Sequence, residues 1–290
     1  MGGLPPAPDR LPDGFSVHKA IHAARLVETA YALYQQWSDA GKPPEDRMRF
    51  TPVVRGTLVF DQPFWRTLTY RQPAGTGKSA LRFRTVREHT PAGACARRGR
   101  HLFIVFRGTL SSGEKLSNWM AGRMDAVFDN LDRGGAHRGF HRCYESVREA
   151  VHGFAAAHAS PERHIRIAGH SLGGALAFLA GMDIATGGLP FRTLEIHAFG
   201  SPLVGSARWA RHYDRQRTAT WRIVNRRDFI TRIPPTLLGY RHAGTPVRFT
   251  SPRGVRPHGL SEAYLPALLE ARAERAPLSS LRARCAAGAA

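Results

Sequence analysis

Ser171 lies in the run Ala168-Gly169-His170-Ser171-Leu172-Gly173-Gly174-Ala175-Leu176-Ala177, which contains a hydroxyl at G-x-S-x-G spacing. An apolar stretch, His164 to Ala168, precedes it, and a small-residue helical pattern, Gly174 to Ala180, follows. Strand, sharp turn and helix form the context in which such a serine becomes a nucleophile. Gly169 and Gly173 lack a Cβ, so strand and helix can pass close together around His170 and Ser171, leaving the serine Oγ at the end of a sheet. A helix beginning at this point aims free N–H groups and a positive dipole end at the same place. The N–H of Leu172 is then one donor for an oxyanion. The plainer alternative is a glycine-rich turn needed only for tight packing.

A serine hydroxyl attacks poorly unless a base takes its proton and an acid orients that base. On open α/β sheets with an elbow of this kind, the acid and then the base follow the nucleophile along the chain. Asp228, in Arg222-Ile223-Val224-Asn225-Arg226-Arg227-Asp228-Phe229-Ile230, is the best acid, just past an expected strand. Two histidines follow it, His242 and His258. Chemistry on open α/β sheets gathers at the carboxyl ends of the strands. His258 comes after the expected strand Pro246 to Thr250 and so falls at that end, whereas His242 precedes the strand and is held in reserve. The second oxyanion donor is expected from Phe106-Arg107-Gly108-Thr109, where Gly108 permits close approach and Thr109 offers an N–H. Beyond it, Leu110 to Arg123 combines Leu116, Trp119 and Met120 with serines and glycines, a composition suited to a short lid. An ordinary surface helix is the alternative there.

The elements that must position these groups alternate. Ile21, Ala24, Val27, Tyr31 and Tyr34 recur at helical spacing, predicting a helix over about Val17 to Trp37. Strands are expected over Pro52 to Phe60, Trp65 to Tyr70, Leu81 to Arg87 and His101 to Phe106. A helix over Phe140 to Ala157 leads into the serine strand. Further strands follow over Thr193 to Phe199, Ala219 to Val224 and Pro246 to Thr250, then a last helix over Gly259 to Glu274. This alternation implies an α/β fold with a mostly parallel central sheet and helices on both faces. One domain is expected over residues 16–275, between a loose segment, 1–15, and a disordered tail, 276–290. Gly75-Thr76-Gly77-Lys78-Ser79 imitates a phosphate-binding loop, but Gln72 occupies the position of its first glycine and a strand pattern follows. It is read as a mobile turn.

The 290 residues carry a formal charge of +20, nearly all from arginine, since lysine occurs only at positions 19, 42, 78 and 115. Such a field draws anionic surfaces, yet the arginines are scattered and no nucleic-acid-binding motif accompanies them. Cys95, Cys143 and Cys285 imply neither a disulfide framework nor a zinc site. No transmembrane stretch and no leader pattern is visible, so a cytoplasmic location is expected, with peripheral membrane association as an addition.

FRGT (106–109) with Asn118-Trp119, His137 to Phe140, GHSLGGALA (169–177), FGSPLVG (199–205), RIVNRRDFITRIPP (222–235), YRHAG (240–244) and PHGLSEAYL (257–265) resemble the class 3 lipases, in family order. That resemblance implies an α/β-hydrolase fold with a short lid segment, a Ser171–Asp228–His258 triad and an oxyanion hole at Thr109 and Leu172. It implies a serine carboxylester hydrolase acting on lipid esters, a lipase or esterase that needs no metal or organic cofactor. A phospholipase A1 acting on anionic phospholipids, a non-catalytic binding protein of the same fold and, from charge alone, a nucleic-acid binder are the other readings. Oligomeric state is not legible.

Overall fold

A computed structural model describes residues 11–51, 58–73, 83–109, 128–129, 135–216 and 218–274. A seven-stranded sheet runs in the order β1-β2-β3-β6-β7-β9-β11. Its strands are β1 (Val59–Pro73), β2 (Phe83–Arg98), β3 (His101–Phe106), β6 (His164–His170), β7 (Thr193–Phe199), β9 (Ala219–Asn225) and β11 (Thr245–Phe249). From β3 to β11 all neighbours pair in parallel, whereas β1 and β2 are antiparallel additions at one edge. Four two-residue strands, β4 (Phe128–Asp129), β5 (Ala136–His137), β8 (Gly205–Ser206) and β10 (Tyr240–Arg241), make a small second sheet in the order β10-β8-β5-β4.

The helices divide between the two faces. Helix α1 (Val17–Asp39) is capped by Ser16, whose side chain accepts from Lys19 N, and it buries Ala20, Ala24 and Val27 on one face of the sheet. Helix α5 (Leu265–Ala273) packs into the same apolar cluster. On the opposite face lie α2 (Arg138–His158) and α3 (Leu172–Thr186). Helix α3 is apolar nearly all round and buried, as a helix between a sheet and a second helix must be. β3 reads as an unbroken apolar run for the same reason: it is covered on both faces. A short helix, α4 (Ala207–Asp214), joins the small sheet to β9.

The structure departs from the expected elements in particular places. Pro52–Phe60 and Trp65–Tyr70 were separated by pattern, yet one strand runs from Val59 to Pro73, with register shifts between Phe60 and Pro63 and again between Phe64 and Trp65. Its partner β2 extends to Arg98, well beyond the expected Arg87, because the hairpin then pairs onward with β3. Helix α4 was not expected. The last helix opens with a π-helical turn over Leu260–Tyr264 before α5 begins. Of the segment expected to be loose, Leu11 and Phe15 pack against the core, Phe15 meeting Trp221 edge-on at 5.4 Å. The imitation phosphate loop and the tail 276–290 lie outside the described residues, and Phe83 onward is strand, not the helix a phosphate loop requires. Cys95 and Cys143 are both buried.

Candidate active site

Register brings the loops together. Phe106 pairs with Gly169, His170 with Phe199, Phe199 with Ile223, and Asn225 with Phe249. The chain therefore leaves β3, β6, β9 and β11 along one edge, at the carboxyl ends, and these exits carry Thr109, Ser171, Asp228 and His258.

Ser171 has φ 58° and ψ −127°, a conformation that a side chain rarely adopts, and it caps the N-terminus of α3. The elbow closes because Gly169 has no side chain: a Cβ there would lie 2.0 Å from the Gly173 carbonyl oxygen. Ser171 N donates to Phe199 O at 2.9 Å, tying the turn to the neighbouring strand. Leu172, the first residue of α3, brings its N–H to the helix start beside the serine. Gly108 presses on the same point from the other side, since a Cβ there would lie 2.8 Å from both Ser171 Cβ and His170 O. Thr109 follows directly, and the loop is gripped by the buried Arg107, which donates to Pro91 O, Gly108 O and Thr90 Oγ1 at 2.6, 2.7 and 2.9 Å. Burial lowers that guanidinium to about 9, and the Tyr34 ring lies 4.1 Å from it.

Ser171 Oγ is 2.8 Å from His258 Nε2, and His258 Nδ1 is 2.6 Å from Asp228 Oδ2. With Nδ1–H donating to the carboxylate, Nε2 is the acceptor for the serine proton. Asp228 is almost fully buried, so its charge needs partners. Besides His258 it accepts from Ile230 N at 2.9 Å and from Tyr264 Oη at 2.5 Å. Burial and then the charge of Asp228 push the Tyr264 hydroxyl well above its ordinary value, so it stays a donor. His258 keeps 25% of its side chain exposed. Asn225 holds its loop by donating to Pro257 O at 2.8 Å and Ser251 Oγ at 2.9 Å.

His242 is elsewhere. Its Nε2–H donates to Thr231 O at 2.8 Å, and burial followed by the charge of Arg222 lowers it to about 4. Leu116, Trp119 and Met120, the expected lid residues, lie outside the described residues.

Three site neighbours escaped sequence reasoning. Tyr31 counted only as a member of an apolar helical stripe, Tyr264 only as part of the last expected helix, and Asn225 only as a residue between the expected strand and Asp228. His170 was assigned only to the turn, yet both its ring nitrogens are engaged: Nδ1 with Tyr31 Oη at 2.7 Å and Nε2 with His258 O at 2.8 Å. Nothing local in the sequence marks these roles, because each partner is remote in the chain.

The sheet order, the elbow and this side-chain chain define an α/β-hydrolase fold with a serine, a histidine and an aspartate in hydrogen-bonded series. Residues 103–238 match the model of the family described as lipase (class 3). A secreted mono- and diacylglycerol lipase 1 of Fusarium solani is 30% identical over 145 residues, 49% of this chain and 42% of that protein. A phospholipase A1 of Oryza sativa subsp. indica, chloroplastic/mitochondrial, is 28% identical over 167 residues, 50% of this chain and 38% of that protein. The crystal structure of the lipase from Rhizopus microsporus var. chinensis superposes with a TM-score of 0.54 at 20% identity, covering 90% of this chain and 93% of that one, a likeness of fold. Over residues 103–238 this chain is similar to the class 3 lipases. It spans about two fifths of the length of these curated relatives.

The cytoplasmic location expected from the sequence is corrected by this comparison, since the Fusarium solani relative is named as secreted.

Proposed function

We propose that the chain is a serine carboxylester hydrolase acting on lipid esters, with residues 16–275 working as one domain. The observation that carries this is the hydrogen-bonded path from Ser171 Oγ through His258 to Asp228 at a strand-to-helix elbow. In the reaction, His258 Nε2 takes the hydroxyl proton as Ser171 Oγ attacks the ester carbonyl carbon. The tetrahedral oxyanion is held by the N–H groups of Leu172 and Thr109, and Asp228 stabilises the imidazolium. Collapse breaks the carbon–oxygen bond to the alcohol, which leaves with the proton from His258, and the acyl group remains on Ser171. Water, giving its proton to His258, then attacks the acyl-enzyme. Ser171 recovers its proton as the carboxylic acid departs.

The names of the relatives support lipid esters as the substrate class. A phospholipase A1 activity is the second reading, favoured by the rice relative and by the charge of +20, which suits peripheral contact with an anionic lipid surface. The test is labelling by a fluorophosphonate together with turnover of p-nitrophenyl esters: both are expected in the parent protein and absent in Ser171→Ala. Retained turnover in that variant would remove the nucleophile assignment. Hydrolysis of glyceride emulsions against phosphatidylglycerol vesicles, at two salt concentrations, separates the two readings.

A further inference from the structure

Three large apolar side chains stand out among the described residues: Phe229 is 67% exposed, Leu237 97% and Leu238 41%. Single exposed apolar residues are ordinary on any surface. These three are not scattered. They fall within ten consecutive positions of the segment that begins at Asp228, on two 3-10 turns, Phe229–Arg232 and Thr236–Leu238. The turns satisfy their own backbone: Ile230 N donates to Asp228 Oδ1, Leu238 N to Pro235 O and Gly239 N to Thr236 O. Arg241 Nη1 clamps the second turn from behind by donating to Thr236 O and Tyr240 O at 3.0 and 2.7 Å. A backbone satisfied in this way presents its side chains outward without needing a protein neighbour.

The charges carried by this stretch of chain are almost all of one sign. From 226 to 256 the sequence has arginine at 226, 227, 232, 241, 248, 253 and 256, and its only acid is Asp228, which is buried on His258. Arg226, Arg227, Arg232, Arg241, Arg253 and Arg256 are all exposed. Arg253 and Arg256 lie on the loop that leads to His258, with Arg256 3.7 Å from Glu262. Basic residues thus flank both the loop of the acid and the loop of the base.

From this arrangement we infer that the Phe229–Arg241 segment is a docking surface for an anionic phospholipid bilayer. Leu237, Leu238 and Phe229 enter the acyl boundary while the arginine rim meets the phosphates. Apolar tips at the centre distinguish this from a nucleic-acid surface, where the contacts to phosphate would be polar throughout. Docking on this segment would set the Ser171–His258 pair at the lipid surface. What docking accomplishes rests on the hydrolase reading above; the docking itself does not.

The experiment uses the full chain bearing Ser171→Ala, floated with vesicles of phosphatidylcholine alone or mixed with phosphatidylglycerol, at low and high salt. Binding to the mixed vesicles is expected, weakening with salt, with little binding to phosphatidylcholine. In the same background Leu237→Ser/Leu238→Ser is expected to weaken binding by about tenfold or more, and Arg232→Gln/Arg253→Gln to flatten its salt dependence. With Ser171 intact, both double variants should turn over soluble p-nitrophenyl butyrate as the parent does. Equal binding to both vesicle types, or binding indifferent to Leu237→Ser/Leu238→Ser, overturns the proposal, as does equal retention on duplex DNA with and without the leucines. Loss of the hydrolase reading would show separately, as ester turnover that survives Ser171→Ala.

Discussion

Tyr31 and His170 lie 139 residues apart in the chain and share a 2.7 Å hydrogen bond. The tyrosine hydroxyl also accepts from Gly108 N at 2.9 Å, and His170 continues to His258 O at 2.8 Å. One series of bonds therefore runs from the loop that presents Thr109 to the loop that presents His258. Burial, then the nearby His258, holds the His170 imidazole well below its ordinary value, so the ring stays neutral. Neutrality fixes the direction of the series: Nε2–H donates to His258 O, and Nδ1 accepts from Tyr31. Burial raises the Tyr31 hydroxyl to about 12, so it too keeps its proton.

Tyr31→Phe removes the acceptor for Gly108 N and the donor to His170 without touching Ser171. Ester turnover is expected to lose roughly tenfold to a hundredfold in kcat with KM little changed, as for a displaced oxyanion donor. Steady-state kinetics on a soluble ester check this. A rise in KM alone, with kcat intact, would assign Tyr31 to substrate binding instead.

The two histidines make a direct contrast. His258→Ala is expected to reduce kcat by about four to six orders of magnitude, comparable to losing the nucleophile. His242→Ala should keep kcat within a few fold, its cost falling on stability through the lost bond to Thr231 O. Rate measurements beside thermal melts separate the two effects.

Gly108→Ala tests the packing of the loop proposed to hold the oxyanion. The added methyl would meet the backbone at His170 O and the Cβ of Ser171, both at 2.8 Å, and neither can swing aside as a flexible side chain would. The loop must move away from Ser171. Turnover is expected to drop at least about a hundredfold, while circular dichroism and melting show a folded protein.

Acid should unfold this protein through its buried histidines. Burial lowers His197 to about 3 and His242 to about 4, and lowers His170 as well. At neutral pH these groups are uncharged whether folded or unfolded, and they contribute no pH dependence. Below about 6.5 the unfolded chain takes up their protons and the folded one does not, so stability falls as pH falls towards the folded values. Each histidine contributes at most about 1.4 kcal/mol per pH unit. His197 is fully buried with neither ring nitrogen hydrogen-bonded. His197→Leu is therefore expected to raise the melting temperature and to make the acid limb less steep in chemical denaturation at several pH values.

Local pattern made much of the framework legible. The alternation of apolar runs and helical stripes led to the parallel strands β3, β6, β7, β9 and β11 because each was written in a few adjacent residues. It failed at β1 and β2, where Pro63 and a shift in register hide one strand as two, and where the ladder extends through pairing with β3. It failed also at α4, which is only eight residues long.

The elbow at Ser171 is a property of the sequence itself. Its strand, its glycines and its helix start lie within about ten residues, so sterics between near neighbours dictate the turn. Partnership across the sheet edge belongs to the tertiary structure alone. That Tyr264 shares Asp228 with His258, that Tyr31 bridges Gly108 and His170, and that Leu237 and Leu238 stay uncovered all depend on which remote segments the packed core brings side by side. A hydrogen bond spanning more than a hundred residues leaves no periodicity and no spacing to read, because only burial of the two faces of the sheet sets its geometry.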